Sequence, residues 1–107
     1  MILRLWRGWT TPGNADRYEE LIASVIFPGI LGKTITGLER LELFRRPLGA
    51  EVEFMTLMRF TSWDAVKAFA GPNWEVSVVP AVARAVLARF DEEATHTERR
   101  VLQEGKR

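Results

Sequence analysis

Few residues in this chain have the chemistry of a catalyst. His96 is the single histidine and the only side chain whose ordinary titration lies near neutral pH, which makes it the candidate general base. Glu98, two residues along the same strand face, is placed to orient it. The competing reading is a strand histidine bonded to a neighbour or simply solvated. Arg4, Arg40 and Arg59 sit in strands among oily residues and would clamp an anionic or phenolate substrate, or else pair with Glu42 and Glu53. Four tryptophans, Trp6, Trp9, Trp63 and Trp74, would wall an aromatic pocket or fill the core. Trp6 is assigned to the pocket because it shares the mixed face with those arginines, and Trp74 because it lies in an irregular segment suited to a rim. The site expected from residue types is therefore His96 as catalytic group, with Trp6, Arg59 and Trp74 binding substrate.

Other chemistries are excluded more simply. The chain has no cysteine, which removes disulfides, thiolate catalysis and thiolate-bound metal. No glycine-rich loop follows a strand to cradle phosphate, and no carboxylate and histidine cluster has metal spacing, so neither a metal nor another cofactor is expected. Fifteen Lys and Arg against fourteen Asp and Glu give a net charge of +1, without the one-sided basic excess of a nucleic-acid binder. No apolar run approaches the ~18 residues of a membrane span, and arginines interrupt the oily start MILRLWRGW, against a signal peptide. The expected address is the cytoplasm.

The elements that must position these residues follow from periodicity. With 107 residues, 47% of them hydrophobic, the chain makes one domain with one modest core. Ile2 to Thr10 alternates as a strand. Tyr18, Leu21, Ile22, Val25 and Ile26 then repeat at helical spacing after a start at Thr11-Pro12 or Asn14, and Pro28-Gly29 should kink or end that helix. Gly37 to Phe60 reads as a hairpin turning at Pro47-Leu48-Gly49-Ala50, with Pro47 opposite Ala50, Arg45 opposite Val52 and Leu43 opposite Phe54. Thr61 or Ser62 caps a second helix that Gly71-Pro72 stops. A third helical segment runs from Pro80 to Phe90, Ala94 to Leu102 reads as the last strand, and residues 103–107 as a frayed polar tail.

Strand, helix, strand, strand, helix, strand is the ferredoxin-like βαββαβ order: an α+β fold with a four-stranded antiparallel sheet and helices on one face. Leu3, Leu5, Leu41, Leu43, Phe54, Met58 and Phe60 are expected to meet the helices. Ile2, Arg4, Trp6, Leu38, Arg40, Phe44, Met55, Leu57 and Arg59 are expected on the bare face. So broad an apolar patch calls for a cover, and a second copy related by a two-fold axis is the simplest one.

The stretches ILRLWRGWTTPGNADRYEEL, FPGI, EVEFMTLMRFTSWDAVKAFAG and VVPAVARAVLARFDEEATH, in this order, resemble the antibiotic biosynthesis monooxygenase family. The resemblance spans about Ile2 to Glu98. It implies a homodimeric α/β barrel, in which two ferredoxin-like chains pack sheet to sheet. It further implies a cofactor-independent monooxygenase acting on a phenolic or polyketide-like molecule, or a non-catalytic binding or interaction homodimer of the same fold. Haem degradation, a further activity of the family, is disfavoured: segment 74–90 lacks the expected histidine, and Phe60 stands where a tryptophan is expected before the helix start.

Overall fold

A computed structural model describes residues 1–106; residue 107, the end of the expected tail, lies outside it. Five strands form one antiparallel sheet: β1 (Ile2–Thr10), β2 (Leu38–Leu48), β3 (Glu51–Phe60), β4 (Arg89–Phe90) and β5 (Thr95–Glu98). Their order is β2-β3-β1-β4, with β5 also on β1. Both β4 and β5 run antiparallel to β1, at residues 8–9 and 2–5 respectively. Only β5 falls within the expected fourth strand, while β4 is an added short strand where helix was expected, and the ferredoxin-like order stands.

The breaks from the expected elements have local causes. The first helix does not stop at Pro28. It runs as α1 (Ala15–Leu21), a π turn over Ile22–Ile26 and α2 (Phe27–Leu31). The Phe27 N–H bonds Ile22 O, five residues back, and this wider turn relieves the clash a proline ring makes with the carbonyl one α-turn earlier. The expected helix from Pro80 to Phe90 is shortened to α4 (Ala81–Arg84). The Ala88 N–H donates to Trp9 O at 2.8 Å and the Asp91 N–H to Arg7 O at 2.9 Å, so the edge of β1 claims residues 88–91 for the sheet. The last strand ends at Glu98 instead of Leu102.

The expected cap at Ser62 is present. Its hydroxyl accepts from the Ala65 N–H at 3.2 Å and starts α3 (Trp63–Ala70), a cap of the kind worth about 1 kcal/mol.

The hairpin register slides by one pair. Leu48 faces Glu51, Arg45 faces Phe54 and Leu43 faces Thr56. The two-residue loop needs a positive φ at its first position, which Gly49 supplies at +64°; the expected register would have put Leu48 there, with a Cβ in the way. Because the slide moves the pairing by two in sum, each side chain keeps its face.

In β1 the faces are reversed from expectation. Ile2 pairs with Phe60, Arg4 with Met58 and Trp6 with Thr56, so Ile2, Arg4, Trp6 and Thr10 face the helices, while Leu3, Leu5, Arg7 and Trp9 lie on the bare side. Gly8 explains the choice: a Cβ there would stand 2.9 Å from Leu87 Cδ2, so this parity alone tolerates the close approach of the covering chain. Leu38, set beside Phe60 by a register irregularity, also joins the helix side. Two apolar clusters fill that side, one around Tyr18, Phe54 and Val86, the other around Ile2, Phe60 and Val66.

Candidate functional site

A cavity opens at the seam between the two clusters. It is lined by Arg4, Trp6, Thr56 and Met58 from the sheet, by Tyr18, Ile22, Ile26, Phe27 and Ile30 from the first helix, and by Phe69 and residues 78–80 and 83. The π turn matters here, because it brings both Ile22 and Ile26 to the cavity wall. The volume is about 50 Å³. That exceeds the ~10–15 Å³ a single water needs and falls well short of the ~300 Å³ or more of a pocket for a drug-sized molecule. Beside it, sharing Ile26, Ile30, Phe69, Val78 and Pro80, a second chamber of about 230 Å³ reaches Val25, Gly29 and Lys33 at the surface.

Arg4 is the unusual wall of this cavity. It is 3% exposed, and none of the ion pairs among the described residues involves it. Its Nη1 donates to Trp74 O at 2.5 Å and to His96 Nε2 at 3.0 Å, and its Nη2 donates to Val76 O at 3.2 Å. The guanidinium also lies 5.4 Å from the centre of the Phe69 ring. Of its five N–H groups these three bonds occupy three. Burial pulls its pKa down to about 10, which leaves it a cation at neutral pH, desolvated and without a counter-charge.

Tyr18 is buried edge-on against Phe54, 4.7 Å between ring centres. Burial lifts its phenol to about pKa 12, so it is a neutral hydroxyl at any working pH. Trp6 is fixed by its Nε1–H donating to Asp91 O at 2.6 Å and by Phe90, 5.9 Å away.

The expected site residues divide between the two sides of the sheet. Trp6 lines the cavity. Trp74 and His96 stand behind Arg4, where the His96 ring lies 5.0 Å from Trp74 and 5.7 Å from Trp63. The irregular segment carrying Trp74 is tied to the break between β4 and β5 by the Ser77 N–H to Glu92 O and the Ala94 N–H to Glu75 O, both 2.8 Å. Desolvation, helped by the charge of Arg4, lowers the His96 pKa to about 4, so its ring is neutral. A guanidinium only donates, so His96 Nε2 is the acceptor and the ring proton sits on Nδ1. Arg59 lies on the other face, paired with Glu42 at 3.0 Å, and is not part of this group. Arg4 and Tyr18 were the residues undervalued in sequence. Their signal was the parity they share with Gly8 and with the stripe of the first helix.

The bare face is built differently. Leu3, Leu5, Met55 and Leu57 are partly covered there, and Phe44 is 50% exposed. Around them run the pairs Arg46–Glu53, Arg89–Glu51, Arg59–Glu42 and Arg7–Asp91, at 2.8 to 3.0 Å. Hydrogen bonds from Arg46 and Arg89 hold the Glu53 and Glu51 carboxyls below their usual pKa. Arg89 lies over Trp9, 3.8 Å from the ring centre.

Among the described residues no three His, Asp or Glu side chains stand close enough to hold a metal ion, and no helix is long and apolar enough to cross a membrane. No family model and no curated protein matches the sequence. Solved structures do. One from Bacillus cereus, provisionally described as an antibiotic biosynthesis monooxygenase, superposes with a TM-score of 0.63 at 16% identity, over 95% of this chain and 97% of that one. Rv0793 from Mycobacterium tuberculosis superposes with a TM-score of 0.56 at 19% identity, over 98% of each chain. This chain shares their fold. The resemblance read from the residues is thus met by the architecture along almost the whole length, and at these identities the likeness speaks for the fold alone.

Proposed function

We propose that the chain binds a small acidic aromatic molecule, phenolic or polyketide-like, with its ionised oxygen against Arg4, and oxygenates it without a cofactor. The observation that carries the reading is the buried, carboxylate-free guanidinium at the cavity wall. A desolvated cation with two N–H groups left over favours the charged form of a bound phenol, and the neutral Tyr18 hydroxyl can donate to the same oxygen. The inner cavity takes only the acidic end. The body of the molecule then lies in the outer chamber, against Val25, Ile26 and Val78.

Ionisation is the step that permits chemistry. The phenolate passes an electron to dioxygen, the two radicals join at a ring carbon to form a hydroperoxide, and loss of water leaves a carbonyl. A ring CH2 and O2 become C=O and H2O, with oxygen as the oxidant and no metal or flavin required. Trp6 and Trp74 flank this site, one on the cavity wall and the other behind Arg4, while His96, the residue expected to be catalytic, acts next to Arg4 rather than on the cavity wall.

We further propose that the active form is a homodimer joined through the bare face, because Leu3, Leu5, Phe44, Met55 and Leu57 form an apolar centre ringed by charges that a two-fold copy can satisfy. Its place of work in this reading is the cytoplasm.

A second reading, a binding module without turnover, is favoured by one observation: the groups on the cavity wall are a fixed cation and a phenol of pKa about 12, neither of them a base at neutral pH. Oxygen uptake with phenols and anthrones, in the presence of a chelator and without flavin, separates the two. Uptake that disappears in Arg4→Gln supports the oxygenase. Binding that disappears in Arg4→Gln with no uptake by any variant supports the module. Sedimentation that finds a single subunit at micromolar concentration contradicts the dimer.

A further inference from the structure

We infer that His96 is a positioning residue, acting on the bound anion only through Arg4; this rests on the reading of the cavity given above. His96 on β5 stands directly opposite Arg4 on β1, and Nε2 lies 3.0 Å from Nη1. The basic lone pair of the imidazole is therefore occupied by the guanidinium and is not available to remove a substrate proton. Trp63 and Trp74 pack against each other and against the ring as a cluster of three, and the backbone carbonyl of Trp74 takes the other Nη1 hydrogen. Both hydrogens of Nη1 are thereby fixed from the side of the irregular segment. The Nε–H and one Nη2 hydrogen are what remains for the cavity that Arg4 lines. Without an acceptor at position 96 the fork loses one of the three bonds that set its orientation.

The arrangement has a direction with pH. Protonation turns Nε2 from an acceptor into a donor that confronts another donor, and it sets two cations 3.0 Å apart. The charged groups around the ring are Arg4 on β1, Glu75 and Glu93, which share with it a groove also lined by Trp63 and Trp74, and Glu98 two residues along its own strand. Acid should therefore free Arg4 instead of creating a stronger acid at the site. The low pKa of the ring agrees with this direction.

The test uses the single histidine as its own probe. Nitrogen NMR of the imidazole in the full chain should show the Nδ1–H tautomer, and Arg4→Gln should raise the His96 pKa. An Nε2–H tautomer overturns the inference, whatever any ligand does. Binding of 4-nitrophenol, followed by calorimetry from pH 8 to pH 4, supplies the second readout. His96→Gln, whose amide oxygen can still accept from Arg4, should hold affinity within a factor of a few and remove the part of the acid-side loss that exceeds what protonation of 4-nitrophenol itself accounts for. His96→Leu should weaken binding about tenfold at neutral pH, the scale of one hydrogen bond to a charged group, and the gap should narrow as acid protonates His96 in the wild type.

Equal affinity in the leucine variant and the wild type at neutral pH overturns the inference. So does His96→Gln retaining wild-type binding while oxygen uptake vanishes, for then the imidazole is a base. Failure of the wild type to bind 4-nitrophenol, with the tautomer and the pKa change as predicted, counts against the anion site while upholding the link between His96 and Arg4.

Discussion

The exposed surfaces of the sheet and its enclosed interior handle arginine in opposite ways. On the bare face Arg7, Arg46, Arg59 and Arg89 each meet a carboxylate, and the charges there are balanced before anything else arrives. At the edge of the helix face Arg45 likewise meets Asp16 and Glu19, whereas the enclosed Arg4 has backbone carbonyls and a neutral imidazole but no anion. Partial charges occupy three of its five N–H groups and leave its net charge unanswered, in the part of the molecule where a charge is costliest to bury. A balanced surface is suited to pairing with another surface. An unbalanced interior point is suited to a ligand.

The largest contrast between the faces should appear in stability. Phe54 is fully buried against Tyr18 and Arg45, and Phe54→Ala should cost about 3–5 kcal/mol in denaturant unfolding. Phe44→Ala, half exposed on the opposite face, should cost much less within one subunit. Equal costs would mean that the bare face is as much core as the helix side.

Association comes next. Leu57→Arg places a charge in the apolar centre of the bare face without touching the cavity. Sedimentation should shift from dimer to single subunit while the far-UV spectrum is kept; a dimer that survives would place the interface elsewhere.

The helix face should also respond to acid. His96 has a folded pKa near 4 against an ordinary 6.5, so the unfolded chain binds its proton more readily between those values. The contribution is fully present above pH 6.5 and lost as pH falls toward 4. Unfolding midpoints measured across that window should fall less in His96→Gln than in the wild type, and parallel slopes would contradict the lowered pKa. The smallest effect belongs to the bare face. Breaking the partly exposed Arg7–Asp91 pair in a double-mutant cycle should yield roughly 0–1 kcal/mol, shrinking with salt.

What the sequence made legible was the alternation of the hairpin, the cap at Ser62 and the stop at Gly71. These are local features, and they were enough for the fold. The parity of β1 was not legible, because its two sides carry almost the same set: Ile2, Arg4 and Trp6 on one, Leu3, Leu5, Arg7 and Trp9 on the other. Apolar content could not choose between them. The choice is made by Gly8, through a contact with Leu87 nearly eighty residues away. That single parity moved Arg4 and Trp6 from the bare face to the cavity and left Arg59 outside it. Of the four residues named as a site, Trp6 lines the cavity, Trp74 and His96 stand behind Arg4, and Arg59 lies on the other face. Likewise the helix through Pro28 and the short β4 depend on a π turn and on edge hydrogen bonds, which periodicity does not report.

The central claim is that Arg4 is a cation in want of an anion, and the ionisation of a bound phenol measures this directly. The absorbance of 4-nitrophenol reports its phenolate, so its pKa can be read in the presence of saturating protein. The account predicts a pKa below the free value with the wild type and a return to or above the free value with Arg4→Gln. A bound phenol whose pKa is unchanged or raised in the wild type would contradict it.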